Sequence, residues 1–133
     1  MGLFDKLLGA SSNSAEEKEQ AQTLQWIPLT SAAQIEEIKL QSKTGYVGVF
    51  KHSTRCIISK TVLKRFSESF PKDAKMTLYY LDLLNYRALS NEIGHTFQVF
   101  HQSPQFLLIR NKETVFHASH YDITQIDYNK FLK

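Results

Sequence analysis

The stretch Tyr46-Val47-Gly48-Val49-Phe50-Lys51-His52-Ser53-Thr54-Arg55-Cys56-Ile57-Ile58-Ser59 decides the fold. Its first five residues are a continuous apolar run, the pattern of a strand buried on both faces. Beyond Cys56, the residues Ile58, Val62, Phe66 and Phe70 recur every four positions, with Leu63 beside them and Lys60, Lys64 and Arg65 off that face. This spacing predicts an amphipathic helix, ended by Pro71. Cys56, the only cysteine of the chain, falls at the junction of strand and helix. A thiol placed there lies at the positive end of a helix dipole, which favours the nucleophilic thiolate. A single cysteine forms no internal disulfide, so redox chemistry at this position passes through a mixed disulfide with another molecule.

Working outward, Ser31-Ala32-Ala33-Gln34 has the pattern of a capping box. Ile35, Ile38 and Leu40 then face one side and predict a first helix, with a small strand near Trp26 ahead of it. Met76-Thr77-Leu78-Tyr79-Tyr80-Leu81 reads as a second buried strand, and Asp82-Leu83-Leu84-Asn85 as a turn and helix cap. Tyr86, Leu89 and Ile93 predict a helix stopped by Gly94. Gln105–Ile109 and Thr114–His117 read as strands, and the short gap between them allows only a tight turn, so they are antiparallel. Thr124-Gln125-Ile126-Asp127 starts a last helix, with Ile123 and Tyr128 placed as a hydrophobic staple. Two parallel strands joined by crossover helices, then a hairpin, then a closing helix make an α/β protein on the thioredoxin-like plan, a central mixed sheet flanked by helices.

At 133 residues, 42% hydrophobic and 22% charged, the chain is the size of one domain able to bury its own core. Residues 1–22 read as a flexible N-terminal tail and 23–133 as the thioredoxin-like domain. Leu3, Phe4, Leu7 and Leu8 would share a helix face, as a frayed tail or as a short anchor for a partner or membrane surface. Eight residues are too few for a helix stable on its own, which favours the tail. The net charge of +3 is spread along the chain and interrupted by acids, with no basic stripe, so nucleic acid is not an expected partner. No apolar run approaches a membrane span, and no stable membrane insertion is expected. Met1–Leu8 carries an acid and lacks the apolar core of a secretory signal, so the expected compartment is cytoplasmic, where a free thiol stays reduced.

In this plan the catalytic thiol follows the first central strand, the place of Cys56. Ser59 completes a Cys-x-x-Ser pattern, which leaves a monothiol site. Two readings of Cys56 stand: an inert core cysteine, or a reactive one. Its neighbours Lys51, His52, Ser53, Thr54 and Arg55 are polar and basic, an electropositive setting that favours the second. Ser103-Pro104 directly precedes a strand. In thioredoxin-like folds a cis-proline at this point faces the thiol, and the backbone before it pairs with a bound peptide. The five histidines are scattered rather than clustered, so no bound metal is expected. There is no Ser-His-Asp set and no glycine-rich phosphate loop.

Taken together, the stretch from Phe50 to Ser59, His101-Gln102-Ser103-Pro104-Gln105 and Ala118-Ser119-His120-Tyr121-Asp122-Ile123 resemble the YtxJ-type monothiol bacilliredoxins. The resemblance runs from about Trp26 to the C-terminus. It implies an enzyme that removes bacillithiol from protein mixed disulfides, with bacillithiol as thiol co-substrate and bacillithiolated proteins as partners. By that resemblance Cys56 is the nucleophile and Pro104 the facing cis-proline. Lys51, His52, Thr54, Arg55, Ser59 and Ser103 would then stabilise the thiolate or bind the low-molecular-weight thiol. The site departs from the family's pattern at Ile57, where a proline is frequent. Two other functions fit the same residues. One is a peptide-binding module on this fold without turnover, which an inert thiol would favour. The other is a glutaredoxin-like iron–sulfur carrier, which a coloured, oxygen-sensitive preparation would favour.

Overall fold

Strand β2 (Tyr46–His52) is buried at every residue from Val47 onward, because it is the central strand of the sheet. The computed structural model describes residues 24–131, so the expected tail lies outside the described residues. The other strands are β1 (Trp26–Pro28), β3 (Met76–Asp82), β4 (Gln105–Arg110) and β5 (Glu113–Ser119). They lie in the order β1-β3-β2-β4-β5. The β1–β3 and β3–β2 pairs are parallel, and the β2–β4 and β4–β5 pairs antiparallel. The expected mixed sheet is therefore present, small first strand included.

Alternation along β2 divides the core. Val47 and Val49 face α1 (Ala33–Gln41) and α3 (Arg87–Thr96), packing with Ile35, Ile38, Leu89 and Ile93. Phe50 faces α2 (Ile57–Ser69), packing with Val62, Phe66, Phe70 and Phe106. Burying a side chain such as Phe66 is worth about 1.5–3 kcal/mol. Gly48 stands where no side chain fits: a Cβ there would lie 2.8 Å from both Leu78 Cδ2 and Phe106 Cε1. Helix α2 ends at Ser69, and its C-cap Phe70 (φ −66°, ψ 130°) has the extended geometry required of a residue before proline. Its first apolar position does not join the core, for Ile58 is 43% exposed.

Several local expectations are corrected. Only half of the Ser31 capping box forms. Gln34 Oε1 accepts from the amides of Thr30 (2.7 Å) and Ser31 (3.0 Å), but the helix starts at Ala33 behind Ala32, without a side-chain cap. Leu40 lies off the buried face. Asp82–Asn85 is the expected turn, closed by Asn85 and Tyr86 amides on the Asp82 carbonyl, yet the residue capping α3 is Tyr86. Helix α3 runs past Gly94 and ends at Thr96, where Gln98 takes a left-handed φ of 56° and Val99 N donates to Gly94 O (2.9 Å). Gly94 is needed for that fold-back, since a Cβ would meet Val99 O at 2.8 Å. The β4–β5 turn is Asn111-Lys112, both at positive φ (53° and 67°), as a two-residue hairpin turn demands. The closing α-helix is instead two 3-10 helices, His120–Gln125 and Tyr128–Lys130. The staple pair is split: Ile123 is buried in the first, and Tyr128 packs on Phe66 and Phe70 from the second.

Candidate active site

The site grows from the C-terminal end of β2. Ser53, Thr54 and Arg55 turn the chain, and Cys56 is the N-cap of the 13-residue helix α2, with extended backbone (φ −100°, ψ 122°). The Cys56 amide donates to Ser53 O (3.2 Å), and its carbonyl accepts from Lys60 N (3.0 Å). Cys56 is partly exposed, and among the described residues no hydrogen bond reaches its sulfur. A helix leaves its first amides without intrahelical acceptors, so the thiol sits beside unpaired N–H donors and the positive end of the dipole. Thr54, Arg55 and Ile57 around it are exposed, Ile57 by 79%.

Ser59, expected to donate to the thiolate, is instead wholly buried. Its Oγ accepts from Ser53 N (3.0 Å) and lies 2.7 Å from His52 Nδ1. The Ser53 amide already occupies one lone pair, so the hydroxyl proton is available to the imidazole. The serine at the x-x-Ser position thereby ties strand end, thiol loop and helix together beneath Cys56. His52 is buried as well, its ring against Phe50 and Tyr80. Burial holds its pKa below the ordinary value; Asp82, its cross-strand neighbour, opposes that shift and Lys60 adds to it. His52 is thus a neutral ring that supports the loop.

Lys51 is placed away from the role expected of it. It alternates with His52 and so lies on the sheet face of α3, fully buried. Its Nζ donates to the Ser90 carbonyl (3.0 Å) and lies 3.4 Å from His101 Nδ1. Burial lowers its pKa to about 8. Two cations close to Cys56 along the chain are exposed, Arg55 directly before it and Lys60, whose amide donates to the Cys56 carbonyl.

The Ser103-Pro104 peptide bond is cis, as the thioredoxin-like plan and the family resemblance imply. Lys51 and Gln105 form the last β2–β4 pair, so Ser103 and Pro104 lie just past the sheet, at the end where the Cys56 loop leaves β2. Pro104 is buried and its carbonyl accepts from His120 N (2.9 Å), while Ser103 is half-buried. The structure therefore groups Thr54, Arg55 and Cys56 at the surface over His52 and Ser59, with Ser103 and Pro104 at the same end of the sheet. Two residues with no role assigned from sequence, Ser90 and His101, surround the Lys51 ammonium. No periodicity marks them; the one sequence signal is that His101 lies three residues before Pro104.

Residues 27–127 match the family model described as monothiol bacilliredoxin BrxC. A solved structure described as having a thioredoxin fold and a proposed oxidoreductase role is 37% identical, with a TM-score of 0.64 over 73% of this chain and 84% of that one. Thioredoxin from Schistosoma mansoni, at 22% identity, aligns with a TM-score of 0.63 over 80% of this chain and 98% of its own. Thioredoxin from Malassezia sympodialis, at 16% identity, gives 0.60 over 76% and 84%. The two thioredoxins share the fold.

Proposed function

The chain belongs to the monothiol bacilliredoxin BrxC family, and from that membership we propose that it removes bacillithiol from protein mixed disulfides through Cys56. It is a thiol oxidoreductase of the thioredoxin fold. The proposed compartment is the cytoplasm; among the described residues no helix is long and apolar enough to cross a membrane.

The Cys56 thiolate attacks the bacillithiol sulfur of the substrate. The bond between bacillithiol and the substrate cysteine breaks, the substrate thiolate leaves and takes a proton from water, and Cys56 carries bacillithiol as a new disulfide. The thiolate of a second bacillithiol then attacks the bacillithiol sulfur of that adduct, releasing Cys56 thiolate and the symmetric bacillithiol disulfide. Ser59 leaves no internal thiol to resolve the adduct, so the external thiol is obligatory. Arg55 and Thr54, exposed beside the sulfur, bind the anionic groups of the low-molecular-weight thiol. His52 and Ser59 fix the loop through their mutual hydrogen bond. Ser103, whose backbone lies beyond the last β2–β4 pair, offers its main-chain groups to the substrate chain.

One observation supports the reading most: a lone, partly exposed thiol caps a long helix at the end of the central strand. The test is de-thiolation of a protein carrying a bacillithiol mixed disulfide. Wild type should release the substrate thiol, Cys56→Ser should not, and bacillithiol should regenerate the enzyme better than glutathione. Equal rates for wild type and Cys56→Ser would overturn the enzyme reading.

A further inference from the structure

On the α3 face of the sheet lies a buried ammonium, that of Lys51. Lys51 is fully buried at the last β2–β4 pair before the thiol loop, and among the described residues no carboxylate lies within ion-pair distance of it. Its partners are the Ser90 carbonyl at 3.0 Å and His101 Nδ1 at 3.4 Å, and Ser90 Oγ lies 3.2 Å from the same nitrogen. An ammonium only donates, so His101 Nδ1 accepts and the ring proton sits on Nε2. Burial first, then Lys51 and Arg87, hold His101 below its ordinary pKa, which keeps that acceptor free of a proton.

His101 is otherwise exposed and belongs to the segment that leads into Pro104. The same segment is held by Val99 N on Gly94 O (2.9 Å) and by Gln105 Nε2 on Phe100 O (2.9 Å). Between Phe100 and Pro104, the side chain linked to the sheet interior is that of His101. We propose that Lys51 is a positioning residue: through His101 it fixes the 98–103 loop that presents Ser103 to the substrate chain, and it does not act on the Cys56 thiolate. The geometry separates the two roles, because Lys51 and His52 alternate across the strand and only His52 faces the Ser59 side.

The inference rests on the proposed reaction, but its test has an arm that does not. The substrate is a single-cysteine peptide in mixed disulfide with bacillithiol, and the variants are Lys51→Met, His101→Ala and His101→Asn in the full chain. Lys51→Met and His101→Ala should raise KM for the peptide about five- to tenfold with a smaller change in kcat. The rate and pH profile of Cys56 alkylation by iodoacetamide should stay as in wild type. His101→Asn keeps an acceptor oxygen near the Nδ1 position and should restore KM to within about twofold. Hydrogen exchange of residues 98–103 should quicken in His101→Ala and recover in His101→Asn, whether or not the peptide is turned over. His101 is exposed, so its variants carry the test if Lys51→Met does not fold. A shifted alkylation profile in Lys51→Met would assign the lysine to the thiolate and overturn the proposal. Unchanged KM and unchanged exchange in His101→Ala would overturn it equally.

Discussion

Two buried polar side chains flank the end of β2 and do different work. Ser59 bonds the Ser53 amide and faces His52 Nδ1, so its removal takes a partner from a half-buried donor and from a buried ring nitrogen. Ser59→Ala should lose about 1–3 kcal/mol of stability, read from the denaturant midpoint, while Cys56 still forms its adduct. An adduct-dead Ser59→Ala of full stability would instead make the hydroxyl part of the chemistry. Lys51 carries the second effect. Burial takes its pKa from 10.5 to about 8, so between those values the unfolded chain holds a proton that the folded chain has lost. Stability contributed by this group therefore rises with pH across that window. Relative to Lys51→Met, wild type should gain stability from pH 8 toward 10.5; a flat difference would mean the ammonium is not desolvated.

The elements divide by how they are stabilised. Gly48 lies in the central strand with Leu78 and Phe106 at 2.8 Å from a built Cβ. Gly48→Ala should overpack the sheet and cost about 1–3 kcal/mol, measured by thermal unfolding. A neutral Gly48→Ala would mean that the aromatic ring yields. The strands and the crossover helices were legible because burial writes its period directly into residues such as Val47, Val49, Val62 and Phe66. Their ends were less so. Gly94 has the look of a helix stop, but it is required by the close approach of Val99 O, a contact between backbones that side-chain patterning does not record. The chain after Ser119 holds a capping pattern at Thr124, yet Ile123, Ile126 and Tyr128 all dock on the Phe66 face, and that packing is met by two short 3-10 turns. At the proposed site, the strand–thiol–helix order around Cys56 and the Ser-Pro pair before β4 are both readable in the sequence. The sidedness of Lys51 is hidden in the sequence, because a basic run looks electropositive there while alternate residues leave on opposite faces.

At the scale of the molecule, two cores sandwich a sheet whose β2 end carries the thiol, the buried His52–Ser59 pair and the segment leading to Pro104. Residues 1–22 remain a proposed tail: their polar stretch from Ala10 to Gln20 has little to bury. Their removal should leave Tm within a few degrees of the full chain, and a large drop would show that Leu3, Phe4, Leu7 and Leu8 dock on the domain. In the proposed reaction one thiol, Cys56, takes up bacillithiol and needs an external thiol to release it. Intact mass after mixing the reduced protein with a bacillithiol mixed disulfide, without free thiol, measures this directly. Wild type should carry a single bacillithiol adduct that disappears on adding bacillithiol, and Cys56→Ser should carry none. An unmodified wild-type mass under these conditions would contradict the proposed reaction.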